Sequence, residues 1–87
     1  MTRHIEILQI TQEECAEVVQ SISKIFRFGL DGAHQGTTNI QRLEHELGDL
    51  QCMIDILKER NIVNASNIEN ASKSKREKLH KWSDIFS

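Results

Sequence analysis

Two short acidic clusters carry the residue types in this sequence that are best suited to chemistry. The first is EECAE, from Glu13 to Glu17, and the second is ELGD, from Glu46 to Asp49. Each cluster has carboxylates three residues apart, so on a helix each pair lies on one face, about one turn apart. Two such pairs brought face to face would offer hard oxygen ligands, which suit Mg²⁺ or Mn²⁺ rather than zinc.

Helical phase separates the acids of the first cluster from one another. At about 100° per residue, the apolar stripe of the surrounding helix is centred near Val18 and Ile22. Glu14 falls on the margin of that stripe and Glu17 lies further round on the same side. Glu13 points nearly away from the core, which suits a supporting role or a more exposed ion.

The second cluster shows the same arrangement. Glu46 falls on the margin of the apolar stripe with Asp49 beyond it, whereas Glu44 falls on the opposite flank. We therefore expect an inward-facing metal site with four ligands: Glu14, Glu17, Glu46 and Asp49.

Charged residues that flank an apolar stripe are often only solvated and paired with lysines. Here no lysine or arginine follows Glu14, Glu17 or Asp49 by four residues, where it would neutralise them. An uncompensated acidic cluster beside a core costs stability, and a bound divalent cation is the usual reason for keeping one. The metal site is therefore the better interpretation.

Basic residues lie on the same helix faces as these acids. Lys24 follows Glu17 by two turns, Arg42 precedes Asp49 by two turns, and Lys75 lies within the apolar stripe of the third helix. A lysine in such a stripe either extends its ammonium group to water or meets an anion. Cations beside a metal site suit a polyphosphate, and the candidates for binding it are Lys75, Arg76, Lys24 and Arg42.

The composition predicts one small all-α domain over residues 1–87. The chain has no proline, few aromatic residues and many strong helix formers. A core of this size stabilises a fold by only a few kcal/mol, so metal, partners or oligomerisation are expected to contribute.

Capping signals place three helices. The first ends at Phe28 before Gly29, and it starts either at the capping box Thr11–Glu14 or, as the longer stripe favours, near Arg3. The second opens at the capping box Thr38–Gln41 and runs to about Arg60. The third opens at Ser66–Glu69 and runs to about Lys81. The glycine-rich stretch 29–37 is either a plain connector or a mobile flap over the site.

Charge and cysteine usage exclude several classes of protein. The net charge of −2 argues against general electrostatic binding to nucleic acid. Cys15 and Cys52 lie mid-helix without a CxxC pattern, and no signal peptide precedes them, which predicts reduced core thiols in a cytoplasmic protein. No apolar run approaches the length of a membrane span.

The spacing of the acids resembles a known signature. Glu13-Glu14-x-x-Glu17, a gap of 28 residues and Glu46-x-x-Asp49 resemble the EExxE…ExxD motif of the MazG-like all-α nucleoside triphosphate pyrophosphohydrolases. The flanking segments ITQEECAEVV, SKIFRFG, ELGDLQCMID and KREKLHKW are similar to small single-domain members often carried by bacteriophages. The resemblance covers most of the chain.

This resemblance implies a hydrolase that cleaves between the α and β phosphates, giving a nucleoside monophosphate and pyrophosphate. The substrates would come from the deoxynucleotide pool, in the cytoplasm of the cell or of a phage host. Two or more Mg²⁺ ions, with Mn²⁺ as a substitute, would neutralise the triphosphate and activate water. Glu13 would hold a further ion or orient water; the ligands would be Glu14, Glu17, Glu46 and Asp49.

The resemblance also implies a homodimer or homotetramer with a shared nucleotide pocket. Three helices are fewer than the four-helix core usual in the family, so a short end segment or a neighbouring subunit would complete the MazG-like bundle. Lys75, Arg76, Lys24 and Arg42 would stabilise charge on the phosphates. The residues that contact the base stay open among His4, Gln9, His34, Asn39 and Trp82.

Two alternatives remain. A di-iron carboxylate bundle needs paired Glu-x-x-His motifs, and the chain has only Glu77-x-x-His80. A non-enzymatic helical module would bind nucleic acid or an acidic partner through the basic C-terminal patch around Trp82.

Overall fold

The computed structural model describes residues 2–87, and over this range the chain is all-α with three helices. α1 spans Thr2–Phe28, α2 spans Asn39–Glu59 and α3 spans Ala65–Trp82. Two compact units divide the chain: the first extends to Leu57 and the second covers Lys58–Ser87. The fold class predicted from composition is confirmed. Within the described residues, no helix combines the length and the apolar character that a bilayer span requires.

α1 is one long helix, as its extended apolar stripe favoured. Thr11 does not cap a helix start; its hydroxyl instead donates to the carbonyl of Ile7, at 2.8 Å, within the continuous helix. Gly29 ends the helix as expected, because its φ of 85° is left-handed. Its N–H donates to the carbonyl of Ile25 at 2.8 Å.

A small β-hairpin, rather than a plain connector, joins α1 to α2. β1 (Ala33–His34) and β2 (Thr37–Thr38) pair antiparallel. Gln35 and Gly36 form the turn, with φ values of 54° and 81°. A two-residue turn with positive φ at both positions matches the right-handed twist of the strands. The strands are too short to show an alternating pattern, which is why the sequence indicated only a loop.

The capping box at the start of α2 is confirmed. The N–H of Thr38 donates to Oε1 of Gln41 at 2.9 Å, and the N–H of Gln41 donates to Oγ1 of Thr38 at 3.2 Å. At the other end, Asn61 has a φ of 56° and donates its N–H to the carbonyl of Lys58 at 3.0 Å. Asn61 therefore stops the helix, next to the predicted end near Arg60.

Gly32 lies where the loop before β1 passes closest to the ends of both helices. A Cβ atom there would lie 2.7 Å from the carbonyl oxygen of Phe28 and 2.8 Å from Nδ2 of Asn39. That amide group also donates to the carbonyl of Gly29 at 2.9 Å, so it holds the loop against the start of α2. Only a residue without a side chain fits at position 32.

Gly32→Ala is expected to lower the free energy of unfolding by about 1–3 kcal/mol, because the loop must shift to accept the methyl group. Gly48→Ala is the matched control. Nothing lies within 4 Å of a Cβ at position 48, inside α2, so alanine there should add about 1 kcal/mol of stability. Urea denaturation followed by circular dichroism measures both. Equal effects of the two substitutions would contradict this account of the loop.

The core of the first unit is small. Across residues 2–87 the buried apolar side chains are Ile7, Met53 and Leu57, and the buried polar ones are Ser21 and Asn39. A core of three apolar side chains supplies little of the burial that stabilises a fold of this length. The apolar surface of α1 is therefore largely uncovered in the single chain.

The apolar stripe of α1 was expected to be centred near Val18 and Ile22, and this centre is wrong at Ile22. Ile22 was placed at the centre, yet Ile22, Val19 and Phe26 are exposed, Phe26 by 85%. Ile7 and Ser21 are the buried residues of the helix, with Val18 half-buried. The apolar residues of α1 cover two adjacent faces of the helix, and the stripe centre judged from the sequence falls between these faces. Packing uses only the face that includes polar Ser21.

Cys15 and Cys52 are exposed free thiols, so their prediction as core thiols is wrong. The same phase error explains Cys15, which precedes exposed Val19 by one turn and exposed Ile22 by two. Cys52 directly precedes buried Met53 on α2 and so points about 100° away from it.

In the second unit, α3 begins two residues earlier than its expected capping box. Asn64 is the N-cap, with Oδ1 accepting from the N–H of Asn67 at 3.1 Å. The extended backbone at Asn64 suits that position. Asparagine and serine both cap well, and the asparagine nearer the preceding turn is the one used; the Ser66–Glu69 capping box is therefore wrong.

The C-terminal residues fold back on α3. Phe86 stacks on His80 with ring centroids 4.4 Å apart, and the guanidinium carbon of Arg76 lies 5.2 Å from the Phe86 ring. Trp82 is 83% exposed. Lys75 is exposed as well, so it does not lie within a packed stripe.

Candidate metal and anion site

The first unit brings α1 and α2 side by side in opposite directions. Lys24 and Phe28, near the end of α1, line one cleft together with Asn39 and Arg42 at the start of α2. Further along both helices, Glu14 of α1 lies within electrostatic range of the second acidic cluster. Glu14 of the first acidic cluster therefore faces the second cluster across an antiparallel helix pair.

Three neighbouring side chains of α2 form the tightest group of potential ligands. One ligand atom from each of His45, Glu46 and Asp49 lies within 4.8 Å of the others. Glu46 and Asp49 are half-buried, while His45 is exposed. The i,i+3 spacing predicted the proximity of the two carboxylates, and the helix between them realises it.

His45 is a functional candidate that the sequence argument missed. Its Nε2 lies 3.4 Å from Oδ2 of Asp49. The signal was present as an i,i+4 relation to Asp49, on the same helix face. His45 precedes Asp49, whereas the partners expected to neutralise the acids were lysines or arginines that follow them.

Glu14 carries the electrostatic signature of the site. The pKa of its carboxyl group is raised above the ordinary value of 4.5, first because helix packing partly removes it from water. The negative charges of Asp49 and Glu46, on the facing helix, raise this pKa further, followed by Glu17 and Glu13 of its own helix. A carboxylate held among others is ready to gain from a cation.

The other two acids of the first cluster are more open to water. Glu13 and Glu17 are both exposed, and both act on the Glu14 carboxyl from within α1. Glu13 was expected to point away from the core. Glu17 was expected further inward than the structure places it, because the packed face of α1 lies nearer Ile7 and Ser21. We call Glu14, Glu46 and Asp49, with His45, the acidic site.

The donor set of the acidic site fits Mg²⁺. Three carboxylates from two helices offer hard oxygen ligands, and their partial exposure leaves room for the water molecules that Mg²⁺ retains. Glu17 lies one turn from Glu14 and is exposed. His45 suits the role of orienting Asp49, and its imidazole would also accept Mn²⁺.

Two of the four predicted anion-binding residues lie in the same unit as the acidic site. Lys24 and Arg42 line a cleft of about 560 Å³. Arg42 also borders a second, smaller depression together with His45 and Glu46. Arg42 therefore connects the cleft with the acidic site. We call the cleft the hairpin cleft; its walls are formed by Lys24, Phe28, residues 32–34, Asn39 and Arg42.

The other two, Lys75 and Arg76, lie on α3 in the second unit. Both are exposed, and the guanidinium of Arg76 packs on Phe86. Their part in phosphate binding stays a prediction. The Glu77-x-x-His80 pair is not among the ligand groups found in residues 2–87, and His80 stacks on Phe86.

Comparison of the chain with known protein families, with curated proteins and with solved structures finds no significant match. The functional assignment therefore rests on the acidic site, on the hairpin cleft beside it and on the spacing of the acids in the sequence.

Proposed function

We propose that this chain is a Mg²⁺-dependent nucleoside triphosphate pyrophosphohydrolase that acts on the deoxynucleotide pool. One observation carries the proposal: Glu14 of α1 lies close enough to Glu46 and Asp49 of α2 for their charges to raise its pKa. Through Glu14, the first half of the EExxE…ExxD pattern lies within electrostatic range of the second half, which supports a shared metal site. The similarity of that pattern to the MazG-like enzymes supplies the reaction type.

The residues divide the work by charge. Glu14, Glu46 and Asp49, with Glu17 on the open side, would hold the ions, and Glu13 would orient water beside them. When bound, Mg²⁺ supplies charge neutralisation for the triphosphate and acidifies water. Lys24 and Arg42 would draw negative charge off the phosphate oxygens.

The reaction then follows from this placement. Water attacks the α-phosphorus in line, the bond to the bridging oxygen of the β-phosphate breaks, and pyrophosphate leaves with that oxygen. A nucleoside monophosphate remains.

A homodimer or homotetramer is part of the proposal. The exposed apolar face of α1, with Val19, Ile22 and Phe26, supports this part of the proposal, because a second copy would cover it. Such an assembly would complete the small core of the first unit. Cytoplasmic activity follows from the substrate class.

Incubation with a panel of ribo- and deoxyribonucleoside triphosphates tests the proposed reaction. With Mg²⁺ or Mn²⁺, we expect pyrophosphate and nucleoside monophosphate in equal amounts, and excess chelator should abolish the release. Ion-exchange chromatography of the products measures both. Release of orthophosphate instead, or salt-sensitive DNA binding without turnover, would contradict the proposal and favour another hydrolase or the interaction module.

A further inference from the structure

The hairpin cleft has a charge that its own residues do not balance. Lys24 and Arg42 both line it, while none of its lining residues is acidic. Within residues 2–87, the ion pairs closer than 4.0 Å involve other side chains, so neither cation has a carboxylate oxygen within that distance. Two cations without a direct ion pair at one cleft favour an anionic ligand.

The start of α2 does not itself offer hydrogen bonds to that anion. The N–H of Asn39 donates to the carbonyl of Gly32 at 2.8 Å, and the N–H of Ile40 donates to the carbonyl of Leu30 at 3.2 Å. The N–H of Gln41 is taken by the capping box. Since these donors are used, an anion in the cleft depends on the side chains of Lys24 and Arg42.

Part of the cleft wall is apolar. Phe28 lines it. The guanidinium of Arg27 covers one face of the Phe28 ring, with its carbon 5.0 Å from the ring centre. The hairpin residues 32–34 form the wall beside it, and Gly32 is held there without space for a side chain. A planar ring can pack against such a surface.

The polar lining is fixed rather than adaptable. Asn39 is only 7% exposed, and its Nδ2 donates to the carbonyl of Gly29 at 2.9 Å. This bond leaves Oδ1 as the amide atom that can accept from a ligand, since no hydrogen bond to Oδ1 forms within the part of the chain that the structure describes. A cleft of about 560 Å³ has the volume of a small-molecule site.

We propose that the hairpin cleft binds the nucleoside monophosphate part of a nucleotide, with the base against Phe28 and the hairpin and the α-phosphate between Lys24 and Arg42. The choice of a nucleotide rests on the proposed function. Arg42 borders both the cleft and the depression beside His45 and Glu46, so the remaining phosphates extend toward the acidic site. Of the open candidates for base contact, this selects His34 and Asn39.

Calorimetric titration of the full chain without metal, in excess chelator, tests the cleft directly. The probes are the four deoxynucleoside monophosphates, the corresponding nucleosides and inorganic phosphate. At least one monophosphate should bind about tenfold more tightly than either its nucleoside or phosphate alone, because it contacts both the cations and the apolar wall of the cleft. Backbone amide signals of Gly32, Ala33 and Gly36 should shift in the NMR spectrum on titration.

Matched variants separate the contribution of the two cations from that of Phe28. Lys24→Gln and Arg42→Gln should each weaken monophosphate binding about tenfold. Lys58→Gln and Arg3→Gln remove cations outside the cleft and should change the affinity for the monophosphate less than twofold. Phe28→Leu should weaken binding of the monophosphate but not of inorganic phosphate, a split that a general loss of structure would not produce.

Absence of monophosphate binding to the unaltered chain would overturn the inference, as would equal weakening by the control variants. Phe28→Leu acting equally on monophosphate and phosphate would overturn the placement of the base. The proposed reaction fails separately: cleft binding without pyrophosphate release retains the cleft and rejects the enzyme. Pyrophosphate release with normal binding by Lys24→Gln and Arg42→Gln rejects the cleft alone.

Discussion

Glu46→Gln is expected to leave the fold intact and to lower Mg²⁺-dependent pyrophosphate release by at least about 100-fold. Glutamine has nearly the same size and helix propensity as glutamate, so α2 keeps its packing. The neutral amide is a poor ligand for Mg²⁺, and it removes one of the charges that face Glu14. The loss should therefore appear as weaker metal binding together with a lower kcat.

Glu44→Gln is the matched control for this experiment. Glu44 lies two residues away on the same helix, is exposed and stands outside the ligand group of His45, Glu46 and Asp49. Initial rates across a Mg²⁺ titration, with circular dichroism of each variant, measure the effect. Full activity of Glu46→Gln would refute the acidic site, and an equal loss in Glu44→Gln would show that general charge, not a site, is responsible.

The elements that the sequence predicted well are those governed by local chemistry. The Thr38–Gln41 capping box forms both of its reciprocal hydrogen bonds, and Gly29 and Asn61 adopt the left-handed conformations that end α1 and α2. Each of these features is decided within four residues of chain. A reader of the sequence can therefore recover them without knowing the packing.

The features that the sequence did not predict depend on contacts between distant residues. The rotation of α1, which exposes Cys15 and Ile22, is set by the face that α2 covers, and its wide stripe allowed either face. The hairpin cleft needs the loop, Lys24 and Arg42 to converge. Periodicity along one helix contains no information about such convergence.

The acidic site lies between these two cases. The i,i+3 spacing put Glu46 and Asp49 together, because a helix alone suffices for that. Their proximity to Glu14 required the antiparallel pairing of α1 and α2, which spacing within either helix could not provide. The same rotation of α1 that exposes Ile22 turns Glu14 toward α2 and leaves Glu17 in solvent.

Glu14→Gln is expected to have opposite effects on stability and on metal binding. The pKa of Glu14 is raised in the folded chain by partial burial and by Asp49 and Glu46. Between the unfolded and the folded pKa values, the folded state binds more protons, so the stability of the metal-free protein falls as pH rises through the folded pKa. Above that pKa the full penalty is present, and below the ordinary value of 4.5 it is absent.

In the metal-free protein at neutral pH, Glu14→Gln should therefore have a higher Tm than the unaltered chain. The difference should shrink as the pH is lowered toward 4.5, because protonation of Glu14 then removes the same charge. Adding Mg²⁺ should reverse the order: the ion binds the folded chain and raises its Tm, while the variant, lacking one ligand, gains less. Thermal denaturation in chelator and in Mg²⁺, across a pH series, measures the difference in Tm, its pH dependence and its reversal by Mg²⁺.

Glu6→Gln provides the control on the same helix. Glu6 is exposed near the start of α1 and takes no part in raising the pKa of Glu14. Its substitution should leave both the pH dependence and the response to Mg²⁺ unchanged. A lower Tm for metal-free Glu14→Gln would mean that the charge of Glu14 stabilises the single chain through a cationic partner. If Glu14 lowers the stability of the metal-free chain and raises it when Mg²⁺ is present, its role is to bind the ion.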